Sequence, residues 1–239
     1  MPPETFQIPI DADPAGVTAV AYPANDGRRL PALLVLAHGA GAGQRHPFMT
    51  AYAAQLAERG IDVVTFNFPY MERRRRMPDR APVLEQAFRQ VVAAAARRPE
   101  ARGCRLFVGG KSMGGRMATH LAAAPSAWPT DAPPLAGVVV FGYPLVPPGG
   151  RRKGDRVTHL RQLGVPTLIV QGTRDPFGGP DEVRAAIFAD DARPPVDIVG
   201  VSGADHSFGV LRAGGRDPES VHAEVQDAVV RWMQPLAGG

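Results

Sequence analysis

Residues 105–116 read Arg-Leu-Phe-Val-Gly-Gly-Lys-Ser-Met-Gly-Gly-Arg, and this stretch decides the fold. Arg105 to Val108 is a short apolar run suited to a strand covered on both faces, and Met113 to Ala124 follows as a helical pattern. Between them, Gly110-Lys111-Ser112-Met113-Gly114 matches G-x-S-x-G. A serine on so sharp a strand-to-helix turn has strained backbone that lifts its Oγ above the sheet edge. Glycines two residues to either side are needed because side chains there collide with the neighbouring strand and helix. The Met113 N–H then points at the space where a carbonyl oxygen becomes an oxyanion. The plain alternative is a structural serine in a glycine-rich turn.

Gly110-Lys111-Ser112 also looks like the end of a phosphate-binding loop, which needs a glycine five residues before Gly110. That position is Arg105, inside the strand. Leu-Phe-Val in a strand cannot build a cradle of backbone amides, so nucleotide binding is excluded.

Outward from this turn, short apolar runs alternate with helical patterns. Strands are expected at Thr5 to Ile10, Val17 to Tyr22, Leu33 to Leu36, Ile61 to Phe66, Arg105 to Val108, Val138 to Phe141, Pro166 to Val170 and Val196 to Val201. Helices are expected at Pro47 to Arg59, Val83 to Arg98, Met113 to Ala124, Asp181 to Ala189 and Pro218 to Met233. Such alternation implies an α/β fold with a parallel sheet and right-handed crossovers. Pro- and Gly-rich clusters such as 147–150, 178–180 and 214–215 fall between elements, and no linker is visible, so residues 1–239 read as one domain.

A serine hydroxyl needs a base, and imidazole titrates near neutrality. In a sheet-topped site the order along the chain is Ser, then acid, then His, each after a later strand. Of six histidines, His206 lies directly after the last expected strand and is the candidate base. Asp175 follows the preceding strand and is the candidate acid; Asp205 is its rival, although adjacent side chains diverge. Ala40, in the glycine-rich stretch Ala37-His-Gly-Ala-Gly-Ala-Gly43, is the candidate second oxyanion donor beside Met113. His38, His46 and Lys111 read as structural residues.

These residues resemble the α/β-hydrolase superfamily. They are most similar to a dienelactone-hydrolase-like branch that includes a testis-expressed protein and a subunit of the nonspecific-lethal chromatin complex. The resemblance rests on residues 37–43, 67–71, 109–116, 141–145, 171–178 and 203–208. It implies a mostly parallel sheet of about eight strands with helices on both faces, and a Ser–Asp–His triad at Ser112, Asp175 and His206. Dienelactone hydrolases place cysteine where this chain has serine, so a dienelactone itself is not the expected substrate. Large lids in this superfamily commonly enter in the interval that runs here from Tyr143 to Gly164. That interval is short, so no large lid is expected and small or protruding esters suit the site better than lipids. Phe68, Tyr70, Tyr143 and Phe177, each on a loop after a strand, are candidates for the pocket rim. The branch also contains scaffolding components, so a non-catalytic, partner-binding module is the alternative reading.

Composition narrows the rest. Hydrophobic residues make up 44% and charged residues 21% of the 239 residues, which suits a folded globule. One cysteine, Cys104, excludes an internal disulfide and a multi-cysteine zinc site. No metal or organic cofactor is implied, because a triad supplies its own nucleophile. The opening Met-Pro-Pro-Glu-Thr-Phe has neither the basic start nor the apolar run of a signal peptide, and no segment suits a bilayer, so the expected compartment is the cytoplasm. The net charge is +4, and only Lys111 and Lys153 among the 27 basic residues are lysines. The single dense patch, Arg73-Arg74-Arg75-Arg76, does not repeat along a face and has no interleaved aromatics. Nucleic-acid binding is therefore disfavoured, and a protein partner is the remaining use for the patch.

Overall fold

The computed structural model describes residues 2–147, 155–211 and 214–238. Of the glycine-rich loop at 147–150, only Pro147 falls within them. Eight strands form one sheet: β1 (Glu4–Ile10), β2 (Asp13–Tyr22), β3 (Ala32–Ala37), β4 (Asp62–Phe66), β5 (Arg105–Lys111), β6 (Leu135–Phe141), β7 (Thr167–Gly172) and β8 (Val196–Val201). Their spatial order is β1-β2-β4-β3-β5-β6-β7-β8. From β4 to β8 every pairing is parallel. At the other edge β2 runs antiparallel to both β1 and β4. The sheet is thus mostly parallel, as expected, with its antiparallel part confined to the start of the chain, where successive strands have no α-helix between them. There β2 begins at Asp13 rather than Val17, because Ile10 pairs with Asp13 across a tight hairpin.

Strand residues alternate between two cores. Along β3, Leu33, Val35 and Ala37 face one cluster, while Ala32, Leu34 and Leu36 face the other. The first cluster is covered by α3 (Ala81–Ala96), α4 (Met113–Ala122), the short α5 (Thr158–Arg161) and α6 (Pro180–Ile187). The second is covered by α1 (Pro47–Glu58) and α7 (Pro218–Ala237). A further short helix, α2 (Pro69–Glu72), follows β4. Full burial of side chains such as Leu34, Phe66 and Phe107 stabilises by about 1.5–3 kcal/mol each.

Helix starts follow local chemistry. The His46 ring accepts the Phe48 N–H ahead of Pro47 at the head of α1, and Asp217 accepts the Ser220 N–H at 2.7 Å ahead of Pro218 in α7. Helix α7 runs past Met233 to Ala237 with Pro235 inside it. Between β6 and β7 the described residues hold one helix, α5, and no lid domain. No helix among the described residues is long and apolar enough to cross a membrane.

Candidate active site

Ser112 occupies the turn between β5 and α4 with φ 53° and ψ −113°, a left-handed backbone that costs free energy for a side-chain-bearing residue. Its N–H donates to Phe141 O at 3.0 Å. The packing explains the flanking glycines. A Cβ on Gly110 would meet the carbonyl carbon of Gly114 at 2.4 Å, and one on Gly114 would meet Ala37 O at 2.3 Å. Only hydrogen fits at either position.

The loops after β7 and β8 bring Asp175 and His206 into contact. His206 Nδ1 lies 2.6 Å from Asp175 Oδ2, with the Asp175 side chain fully buried. A buried carboxylate on Nδ1 fixes the tautomer, leaving Nε2 as the free acceptor. Asp175 Oδ1 accepts the Phe177 N–H at 2.8 Å, and the Phe177 ring packs edge-on against the imidazole at 4.6 Å. Asp205 is occupied within its own loop, accepting the N–H groups of Ser207 and Gly209. The imidazole rests on Gly142, which follows the strand that receives the Ser112 N–H. A Cβ on Gly142 would lie 3.0 Å from His206 Nδ1, and its φ is 69°. Among the described residues the His206 ring hydrogen-bonds to Asp175 and not to Ser112 Oγ; a nucleophile–base contact of this kind commonly tightens only in the complex with substrate.

Two loops flank Ser112 on the side where oxyanion donors are expected. A Cβ on Gly39 would stand 3.7 Å from Ser112 Cβ, which places the Ala40 loop beside the serine. Ala40 and Met113 both line a cavity of about 230 Å³ at Ser112. The Ala40 N–H has no partner among the described residues, and the first amides of α4 have none within the helix. His38 fixes this loop. Its Nε2 accepts the Phe68 N–H at 3.0 Å, so Nδ1 carries the proton and donates to Gly39 O at 2.8 Å. Burial depresses the His38 pKa to about 4, which keeps the ring neutral.

Three of the four aromatics expected at the rim are elsewhere. Phe68, Tyr70 and Tyr143 are fully buried, packed into the core cluster that α3 and α4 cover. Phe68 packs on His38, Phe66 and Phe88, Tyr70 OH reaches towards Gly39 O at 3.5 Å, and Tyr143 OH donates to Arg156 O. Phe177 does line the cavity. The arginine run is partly spent internally: Arg73 pairs with Asp13 and Arg75 with Asp79.

Gln171 escaped the sequence reading, whereas Lys111, read there as structural, has a partner in the His206 loop. Gln171 at the end of β7 is fully buried. It accepts the Tyr143 N–H at 2.6 Å and donates to Asp175 Oδ2 at 2.8 Å and Gly178 O at 2.6 Å. Lys111 donates to His206 O, and burial depresses its pKa to about 8 against the opposing pull of Asp175 and Asp205. A polar residue at the end of a largely apolar strand was the available signal for Gln171. No group of three or more His, Cys, Asp or Glu side chains suited to a metal occurs among the described residues.

Residues 31–234 match a family model described as alpha/beta hydrolase domain. No curated protein matches the chain. Solved structures share the fold along nearly the whole length. An α/β serine hydrolase without a lid from Xanthomonas campestris has a TM-score of 0.70 at 19% identity, covering 96% of this chain and 94% of its own. A dienelactone hydrolase from Anabaena variabilis has a TM-score of 0.67 at 18% identity, covering 97% of each. Esterase 2 of Thermogutta terrifontis, phosphorylated by paraoxon, has a TM-score of 0.70 at 14% identity, covering 99% of this chain and 96% of its own.

Proposed function

The chain belongs to the alpha/beta hydrolase domain family, and from that premise we propose that it is a serine hydrolase cleaving small esters, thioesters or activated amides. The observation that carries this reading is the buried Asp175 carboxylate 2.6 Å from His206 Nδ1, on the sheet rim where Ser112 holds a strained turn.

In this mechanism Ser112 Oγ attacks the acyl carbonyl carbon while His206 Nε2 takes the hydroxyl proton. Asp175 holds the imidazole tautomer and stabilises the imidazolium. The amides of Ala40 and Met113 receive the oxyanion, a preorganised arrangement that needs little reorganisation at the moment of reaction. Collapse of the tetrahedral intermediate breaks the bond to the leaving group, which takes the proton from His206. Water then attacks the acyl-serine with His206 again as base, releasing the acid and restoring the hydroxyl. With no lid domain between β6 and β7 among the described residues, water and small acyl groups have ready access.

Labelling with a fluorophosphonate probe tests the assignment. The wild-type chain is expected to label and Ser112→Ala to stay unlabelled; equal labelling of both overturns it.

A further inference from the structure

Two guanidinium groups line the cavity at Ser112, and neither is ion-paired among the described residues. Arg116 stands one helical turn beyond the serine, its N–H donating to Ser112 O at 3.0 Å, and Arg156 comes from the segment after β6. Both line the 230 Å³ space together with Ser112, Met113, Ala40 and Phe177.

Neither guanidinium makes an ion pair among the described residues, whereas Arg73, Arg98, Arg161 and Arg216 each meet a carboxylate. The residues outside the described set contain no Asp or Glu. Arg156 Nη1 donates to Pro144 O at 3.1 Å, while its buried Nε has no partner. Burial and the neighbouring Arg116 press the Arg156 pKa below the ordinary guanidinium range. Asp79 also lines the cavity; its Oδ1 pairs with Arg75 while its Oδ2 is buried without a hydrogen-bond partner, so the lining sets two guanidinium groups against this one carboxylate. Two like charges in a partly dry space are unfavourable unless an anion joins them.

The cavity also has a side. It includes the nucleophile and both oxyanion donors but not His206. A leaving group departs towards the imidazole that protonates it, so the group remaining on the serine fills this space. A guanidinium fork matches a planar carboxylate in two parallel hydrogen bonds.

Building on the acyl-serine reading, we infer that the enzyme prefers esters whose acyl chain ends in a carboxylate, held by Arg116 and Arg156. The substrates are thus half-esters or half-thioesters of short dicarboxylic acids.

The test compares kcat/KM for the p-nitrophenyl monoester of glutaric acid with that for p-nitrophenyl valerate, a neutral counterpart. The wild-type ratio is expected to exceed one by roughly tenfold or more, and to fall roughly tenfold in Arg156→Gln and in Arg116→Gln. Arg156→Lys should recover part of the ratio, and added salt should lower it in the wild type. A wild-type ratio at or below one overturns the inference, as does a ratio unchanged in both glutamine variants. If the variants do not fold, the wild type alone decides: a high ratio that collapses in salt supports the inference, and a ratio that ignores salt opposes it. Fluorophosphonate labelling separates the two levels. A chain that labels at Ser112 but shows no anionic preference loses only this inference; one that does not label loses the acyl-serine reading, and this inference with it.

Discussion

Gln171 Nε2 stands 2.8 Å from Asp175 Oδ2, the same oxygen that faces His206 Nδ1 at 2.6 Å. The carboxylate is therefore held from behind by a fully buried amide whose own oxygen is tied to the Tyr143 N–H. Gln171→Met keeps the volume but removes these bonds and leaves buried polar groups unpaired. It should cost about 1–3 kcal/mol of stability and lower kcat by roughly 10- to 100-fold with a smaller change in KM. Denaturant melts and ester kinetics check both; an unaltered kcat would show that Asp175 needs no such support.

Gly142→Ala places a methyl group 3.0 Å from the His206 ring nitrogen, on backbone at φ 69°. The imidazole must shift or the strand end must move. The expected result is a kcat loss of at least about tenfold and a destabilisation of about 1 kcal/mol or more. A crystal structure of the variant should show the displaced ring. Wild-type kinetics with the ring in place would contradict this account of the glycine.

Much of the sheet was legible because runs such as Leu33-Leu34-Val35-Leu36 are apolar at every position, which only a doubly covered strand permits. The serine turn was legible because Gly110 and Gly114 lie where no Cβ fits. Contact between Asp175 and His206 follows from two successive parallel strands that deliver their loops to one rim. The aromatic loops were not legible. Whether Phe68 or Tyr143 turns outwards depends on partners such as His38 and Arg156, which belong to other segments of the fold. Arg116 and Arg156 escaped for the same reason, since their proximity exists only once α4 and the segment after β6 share a cavity wall.

His38 links stability to acid. Its pKa is depressed to about 4 by burial, below the ordinary value of about 6.5. Between those values the unfolded chain binds a proton that the folded chain does not. The stability from keeping this ring neutral is complete above pH 6.5, falls as pH drops towards 4, and is gone below it. His159, depressed to about 3 by burial and by His120, acts in the same direction. Between pH 6.5 and 5, His38 alone should remove about 2 kcal/mol. Denaturant unfolding at several pH values measures this; no loss of stability across that interval would contradict it.

Lys111 gives the opposite dependence at alkaline pH. Its folded pKa of about 8 lies below the ordinary lysine value of 10.5, so burial of the ammonium weakens the fold fully below pH 8. That penalty is relieved as pH rises from 8 to 10.5. Stability of the wild type relative to Lys111→Met should therefore increase over that window. Because Lys111 also holds His206 O, the same variant should show faster amide exchange in residues 206–208. A constant stability difference from pH 7.5 to 10 would refute the titration.

The most direct measurement is a mutant cycle on p-nitrophenyl acetate with Ser112→Ala, His206→Gln and the double variant. If the two side chains act as one unit, each single variant should lose roughly 10⁴-fold or more in kcat, and the double variant should lose no more than either. Retention of wild-type turnover by Ser112→Ala, or losses that multiply in the double variant, would contradict the account.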